Sequence, residues 1–554
     1  MERATPTASS AAEDRKRERL VIGASSLGAM FEWYDFFLYG ALATYIARQF
    51  FSGVNETTAF IFALAAFAVG FIVRPLGALV FGRIGDVVGR KNTFLVTMAL
   101  MGASTFAVGL LPGYADIGIA APVLLIILRM MQGLAIGGEY GGAAIYVAEH
   151  APADRRGFQT SFIQTTAVLG LILSLVVIMG VRTLMSPDAF SGWGWRVPFL
   201  VSIFLLAISL WIRLRLNESP VFQRMKAESG TSRAPFAEAF GRWSNLKLVL
   251  IALFGVVAGQ AVSFYASTFY MLFFLERVLK VDGFDANTIV LIALIIGGPF
   301  YVLSGWLSDR VGRKPVIMAG LVTTALTAFP VFHALSAAAN PALAAAQKAT
   351  PVIVAADRDD CSLQFDPVGR NKFDGSACDI AKAYLTRAGV SYRNEPLAAG
   401  AEIRVGGRAI IAPDPDGLDA EARQAAIAAF ASEAGGALEA AGYPDKVDPA
   451  RMNRPAMIAL IAFFVMVQTM SYGPLAAMLV ELFPARIRYT SMSLPYHVGN
   501  GWFGGFLPTT AFAIVAATGD AFAGLWYPVI IAGGSFVIGL AFLPETLGRK
   551  VDHE

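Results

Sequence analysis

The sequence predicts an all-α membrane protein of twelve transmembrane helices in two six-helix halves, plus a small α/β or α+β extracytoplasmic insert. Three observations carry this. Of 554 residues, 56% are hydrophobic and 15% charged, with a mean hydropathy of +0.58; a water-soluble chain carries nearer to about a quarter charged residues. Apolar runs of spanning length recur, and about 20 such residues at roughly 1.5 Å each match the hydrocarbon thickness of a bilayer. A ten-residue turn occurs twice, in equivalent places of the two halves.

The polar tail 1–20 ends in Arg15, Lys16, Arg17 and Arg19. It has the look of a signal-peptide n-region, but the next segment holds Glu32 and Asp35 and has no small-residue cleavage site, so an uncleaved first span is expected. Spans are read at 21–47, 58–80, 93–112, 121–147, 158–181 and 196–215, which make an N-terminal half of 21–216. A cytoplasmic linker, 217–245, leads to spans at 246–274, 287–306 and 315–337 within 246–337. The insert occupies 338–454; spans at 455–479, 490–516 and 525–543 fill 455–543, and 544–554 is a C-terminal tail. The tails and even-numbered turns hold most of the Lys and Arg, whereas the opposite short turns hold only Arg48, Arg182, Arg277 and Lys280. The positive-inside rule then places both termini in the cytoplasm.

Residues 82–91 read GRIGDVVGRK and residues 305–314 read GWLSDRVGRK, so Gly82, Asp86, Gly89, Arg90 and Lys91 recur 223 positions later. A weaker echo joins Glu149, Pro152 and Arg156 to Glu481, Pro484 and Arg488 at an offset of 332. The offset has grown by 109 residues, which places an insertion of that length between 314 and 481. The polar stretch 338–454 fits it, and after nine spans it lies outside. Within it, 350–356 reads as a strand, 379–385 as helix, 401–413 as a hairpin around Gly406 and Gly407, and 419–441 as a helix broken near Gly435 and Gly436. The only cysteines, Cys361 and Cys378, fall in this piece; an oxidising compartment permits a disulfide, and two free thiols are the alternative.

The repeated GxxxDxxGRK turn resembles the signature of the major facilitator superfamily. Glu32-Trp33-Tyr34-Asp35-Phe36, Arg74-Pro75-Leu76-Gly77, Gln132-Gly133, Gly137-Gly138-Glu139-Tyr140 and Trp193-Gly194-Trp195-Arg196 resemble its metabolite:proton symporters, which include proline and betaine, 2-oxoglutarate, citrate and shikimate permeases. The resemblance covers nearly all the chain except the insert. It implies the major facilitator fold in a plasma membrane, a bacterial inner membrane. It also implies that Asp86 and Asp309 contact helix ends of the opposite half, helped by Arg90, Arg313, Arg156 and Arg488, with Glu149 and Glu481 in the same gate.

Charges inside a span are expensive, so they face a cavity or find partners. Glu32 and Asp35 share a face of span one, and Arg129 and Gln132 share a face of span four. In the functional reading Arg129 receives a substrate carboxylate while Asp35 or Glu32 takes up the coupling proton. A permanent structural ion pair is the other reading. Arg74 and Glu139 are placed at comparable depth as a second pair, with Glu139 a further proton candidate. Tyr34 joins the substrate candidates. The second half has no comparable charges and offers Gln260, Tyr265, Gln468, Tyr472 and Asn500, together with Tyr496 and His497.

The expected function is proton-coupled symport of a small organic acid or zwitterion by alternating access. A proton-driven exporter and a transporter-like sensor using the outer domain are the alternatives. Four unclustered histidines argue against a metal, and no GxxxxGK[ST] run offers ATP coupling. The chain is read as no enzyme, with no cofactor, the proton gradient as energy source, and a solute, a proton and membrane lipid as partners. No nucleic acid is expected, and a monomer is the working unit.

Overall fold

In the computed structural model, residues 8–52, 56–214, 223, 227, 234–357, 359–362, 373–444 and 446–549 are described. Six long helices come first: α1 (Ala8–Ala41), α2 (Glu56–Val87), α3 (Arg90–Leu110), α4 (Ala120–His150), α5 (Arg156–Leu184) and α6 (Val197–Leu214). Next are α7 (Trp243–Val278), α8 (Gly283–Val311) and α9 (Arg313–Ala339). The insert contributes α10 (Pro341–Ala349), β1 (Val352–Ala356), α11 (Ala377–Arg387), β2 (Tyr392–Pro396), β3 (Ala401–Val405), β4 (Arg408–Ile411) and α12 (Ala420–Ala440). Three more follow: α13 (Arg454–Leu482), α14 (488–518) and α15 (Trp526–Phe542).

Among the described residues, nine helices are long and apolar enough to cross a membrane. They establish a multi-span α-helical membrane fold, the solution that satisfies every backbone polar group within its own segment. The first, second and eleventh expected spans fall on α1, α2 and α14, outside that set of nine. Glu32 and Asp35 dilute the apolar character of α1, as Thr490, Ser491, Ser493, His497 and Asn500 do in α14. Side chains such as Ile127, Val176, Phe204, Leu326 and Val537 stand exposed on the perimeter, the surface that lipid would cover.

In the N-terminal bundle α2 lies along α4 and α1 along α5; in the C-terminal bundle α9 lies along α13 and α7 along α15. The bundles meet through α2 against α14 and α5 against α8. Glycines govern the closest approach: a Cβ on Gly133 would overlap the Gly70 carbonyl, and one on Gly137 the Arg74 carbonyl. Small residues let helices in lipid bring their backbones together. Helix α7 contains three wide π turns, at Leu253–Val257, Ala266–Tyr270 and Phe274–Val278, and α14 has another at Gly499–Gly504.

The insert is a four-stranded sheet in the order β2-β1-β3-β4, with β1 and β2 parallel and the other pairs antiparallel. Helix α11 makes the crossover that a parallel pair needs. Val352, Val354, Ile380, Leu385, Ile403, Phe430 and Leu438 form its own apolar core. Cys361 and Cys378 are joined in a disulfide. The break expected near Gly435 and Gly436 is absent: α12 runs through both, because Phe430, Ala434, Ala437 and Leu438 anchor it on either side. That burial outweighs the cost of about 1 kcal/mol that each helical glycine brings. Strand β2, which has no forerunner in the sequence reading, docks on the α14–α15 turn: Tyr392 N donates to Gly519 O at 2.6 Å and Asn394 Nδ2 to Thr518 O at 3.1 Å. Lys280 Nζ donates to Pro444 O at 2.8 Å, and Asn340 Nδ2 to Leu279 O at 3.0 Å. These bonds hold the insert to the outer ends of α7, α9 and α14.

Candidate functional site

At the end of the molecule opposite the insert, the duplicated turns do the same work twice. Asp86, at the end of α2, accepts from Tyr489 N at 3.2 Å, Thr490 N at 2.9 Å and Thr490 Oγ1 at 2.8 Å, at the start of α14. Asp309, near the end of α8, accepts from Gly157 N at 2.8 Å and Phe158 N at 2.7 Å, at the start of α5. Each carboxylate therefore caps a helix of the other bundle, where orphan amides and the positive end of the helix dipole favour an anion. The first glycine of each turn makes room: Gly82 lies against Thr490, and Gly305 against the Gly157 carbonyl. The second glycine, Gly89 with φ 133° and Gly312 with φ 108°, takes a turn conformation closed to other residues.

Buried ion pairs surround these caps. Arg156 Nη1 meets Glu481 Oε1 at 2.8 Å, Arg313 Nη2 meets the same oxygen at 3.1 Å, and Arg488 Nη1 meets Glu149 Oε1 at 2.8 Å. Arg313 also bonds Asp309. The Arg90 side chain lies outside the described residues. The C-terminal segment adds groups that sequence reasoning missed: Glu545 accepts from Arg313 N at 2.9 Å and Lys314 N at 3.1 Å, and Thr546 Oγ1 donates to Glu481 at 2.8 Å. The available signal was an acid directly after the last apolar run, on the basic side.

Midway along the helices the bundles close over a seam of rings. Tyr140 stacks on Tyr496 with centroids 3.4 Å apart, Phe71 meets Tyr265 at 6.1 Å, and Phe37 meets Phe269 at 5.8 Å. The Tyr472 and Tyr496 hydroxyls are 2.7 Å apart, Tyr301 donates to Gln468 Oε1 at 3.0 Å, and Gln164 Nε2 donates to the Tyr140 hydroxyl at 2.6 Å. Asn500 Nδ2 reaches Gln260 Oε1 at 3.5 Å. A cavity of about 30 Å³ sits beside the seam, lined by Glu32, Trp33, Phe36, Ile136, Glu139 and Tyr140. That is room for one or two waters, not for a metabolite.

Arg129 and Asp35 belong to one network inside the N-terminal bundle. Arg129 Nη1 donates to Gln132 Oε1 at 2.7 Å, Gln132 Nε2 donates to Thr105 Oγ1 at 2.9 Å, and Thr105 bonds Asp35. The Arg129 guanidinium lies 4.1 Å from the Tyr39 ring centroid. Tyr34 donates to Pro198 O at 2.7 Å, where α1 meets α6, rather than at the seam.

The expected pairing of Arg74 with Glu139 is absent. Both Glu139 oxygens lack a hydrogen-bond partner among the described residues. Gly137 is the α4 residue pressed on the Arg74 backbone, and two residues further on, about 200° around the helix, Glu139 points away to the cavity. Arg74 instead stands at the seam against the rings of Phe36 and Phe71, 4.5 Å from each centroid, with Tyr265 of the C-terminal bundle in hydrogen-bonding reach. Gln260 Nε2, Gln468 Nε2 and both His497 ring nitrogens are buried here without partners among the described residues. Native proteins satisfy roughly 90% or more of buried polar groups, so these groups call for water or a ligand as partner.

The profile of the family "Sugar (and other) transporter" matches residues 20–241 and 425–553. The proline/betaine transporter of Salmonella typhimurium is 38% identical over 330 residues, covering 58% of this chain and 65% of that protein's length. The shikimate transporter of Escherichia coli is 36% identical over 331 residues, 58% of this chain and 73% of that protein. The alpha-ketoglutarate permease of the same organism is 34% identical over 345 residues, 62% and 78% respectively. In structure, the chain is similar to the proton:xylose symporter XylE of the major facilitator superfamily, with a TM-score of 0.64, 15% identity and 98% of each chain covered. At that identity the likeness is one of fold.

Proposed function

Because the chain belongs to the sugar (and other) transporter family of the major facilitator superfamily, beside metabolite:proton symporters, we propose that it imports a small organic acid or zwitterion together with a proton. In this reading twelve spans form two six-helix halves, α1–α6 and α7–α9 with α13–α15. Both termini and the duplicated turns lie in the cytoplasm, the insert lies outside, and a monomer in a bacterial inner membrane is the working unit.

The observation that carries the coupling is Glu139, 2% exposed, with neither oxygen hydrogen-bonded among the described residues. A neutral carboxyl can stand in that place; an ionised one without a partner costs several kcal/mol. In this reading the closed seam favours a proton on Glu139. Glu32 lines the same cavity and is the second candidate; Asp35 is held behind it by Thr105. Opening to the inside breaks the helix caps at Asp86 and Asp309 and the surrounding ion pairs, admits water to Glu139 and releases its proton with the solute. The remaining seam groups, Gln260, Tyr265, Gln468, Tyr472 and Asn500, offer amides, hydroxyls and rings to the solute body.

Reconstituted protein with an acidic exterior tests this. Proline, glycine betaine, shikimate and 2-oxoglutarate are each offered with and without the pH gradient, and gradient-dependent accumulation of at least one is expected. Glu139→Gln is expected to retain downhill exchange and to lose roughly 10-fold or more in accumulation, the scale of removing a required proton carrier. Intact accumulation in this variant would exclude Glu139 as the carrier.

A further inference from the structure

We propose that Arg74, rather than Arg129, receives the carboxylate of the solute, through the edge of its guanidinium formed by Nε and Nη2. The inference rests on the reading of the chain as a carrier of a carboxylate solute, and it names the atoms that such a solute would meet.

Two buried arginines stand in the N-terminal bundle at mid-depth, and their surroundings differ. Arg129 is committed at home: Nη1 bonds Gln132, and the guanidinium lies over Tyr39 of its own bundle. Arg74 is 2% exposed, yet its Nε and Nη2 atoms have no hydrogen-bond partner among the described residues. Those two nitrogens share one edge of the planar group, and their N–H bonds run parallel at the spacing of the two oxygens of a carboxylate. This is the side-on bidentate pairing that sets arginine apart from lysine.

Packing and one bond locate the guanidinium. Phe36 and Phe71, whose rings stand perpendicular to one another, each lie 4.5 Å from the guanidinium on adjacent sides, and Tyr265 tethers it from the other bundle. Tyr472, Tyr496 and His497 lie near it across the seam. Two buried N–H groups left unpaired in low dielectric are costly, and a carboxylate supplies both acceptors and the neutralising charge at once. Because Tyr265 belongs to α7 and Arg74 to α2, a solute held here touches both bundles, as a solute carried by their rocking must.

Equilibrium binding to the purified full-length protein, with proline, glycine betaine, shikimate and 2-oxoglutarate as probes, tests the assignment. The carboxamide of the tightest binder serves as its uncharged counterpart. Wild type is expected to favour acid over amide by about 100-fold, because the amide leaves the fork half filled and uncompensated. Arg74→Lys keeps the charge and loses the fork; acid affinity is expected to fall about 30-fold while amide affinity stays within about 3-fold. Tyr265→Phe, which leaves Arg74 in place, is expected to cost the acid about 5-fold. Arg129→Lys is expected to lower acid and amide affinity together, leaving their ratio as in wild type. An unchanged acid-to-amide ratio in Arg74→Lys, or a collapse of that ratio in Arg129→Lys alone, would overturn the assignment and leave the symport reading standing. A wild-type protein that binds none of the four acids, or binds the amide as well as the acid, would overturn both.

Discussion

Two aspartates and four glycines, arranged identically in the two copies of a duplication, carry the proposed gate. Asp86 and Asp309 each accept from backbone amides of a helix in the other bundle, so these bonds form only when the bundles are closed at that end. Hydrogen bonds to a charged group contribute about 1.5–3 kcal/mol. Asp86→Asn and Asp309→Asn are each expected to shift the population about 10-fold toward the open gate. Spin labels on the inner ends of α2 and α14, and of α5 and α8, would read this as a longer distance in the variants; unchanged distances would contradict it. These residues were legible because a five-residue pattern at a constant offset needs no knowledge of neighbours. The true surroundings of Arg74 were not. Depth along a helix follows from residue count, whereas the direction of Glu139 depends on which side of α4 is pressed on α2.

Helix against helix, that choice is made by Gly133 and Gly137. Their missing Cβ atoms bring α4 onto the backbone of α2, which turns Arg74 to the seam and Glu139 to the cavity. Gly137→Val would force the two backbones apart. Overpacking of this kind costs about 1–3 kcal/mol, and displacing Arg74 is expected to weaken solute binding in addition. A lower melting temperature with solute affinity also reduced supports this; a lower melting temperature with wild-type affinity would show that the α2–α4 distance does not place the site. The positions of nine spans followed from hydropathy alone, but the π turns of α7 and α14 did not. One extra residue in a turn leaves the apolar composition unchanged. It rotates the residues around it, Gln260, Tyr265 and Asn500 among them, relative to a regular helix.

On the scale of the whole chain, the insert is fastened to the C-terminal bundle at Lys280, Asn340 and Gly519, with its own apolar core beneath. It is expected to move with α7–α9 and α13–α15 as one body. Spin labels on α12 and on the outer end of α15 should keep a constant distance while the bundles rock, whereas the distance from α12 to the outer end of α3 should change. A variable first distance would contradict that unity. The existence of the insert was legible from the drift of the duplication offset, and three of its four strands from β-branched and glycine patterns. Strand β2 was not, because its exposed Arg393, Asn394 and Glu395 carry no apolar alternation; pairing with β1 and docking on Gly519 define it.

Solute and proton are proposed to cross together through a seam whose closure favours a neutral Glu139. The direct measurement is the pH inside lightly buffered proteoliposomes, with no imposed gradient, as solute is added outside. Acidification of the lumen that begins with the solute, saturates with its concentration and is lost in Glu139→Gln is the predicted result. Solute entry with a lumenal pH that stays flat would contradict it.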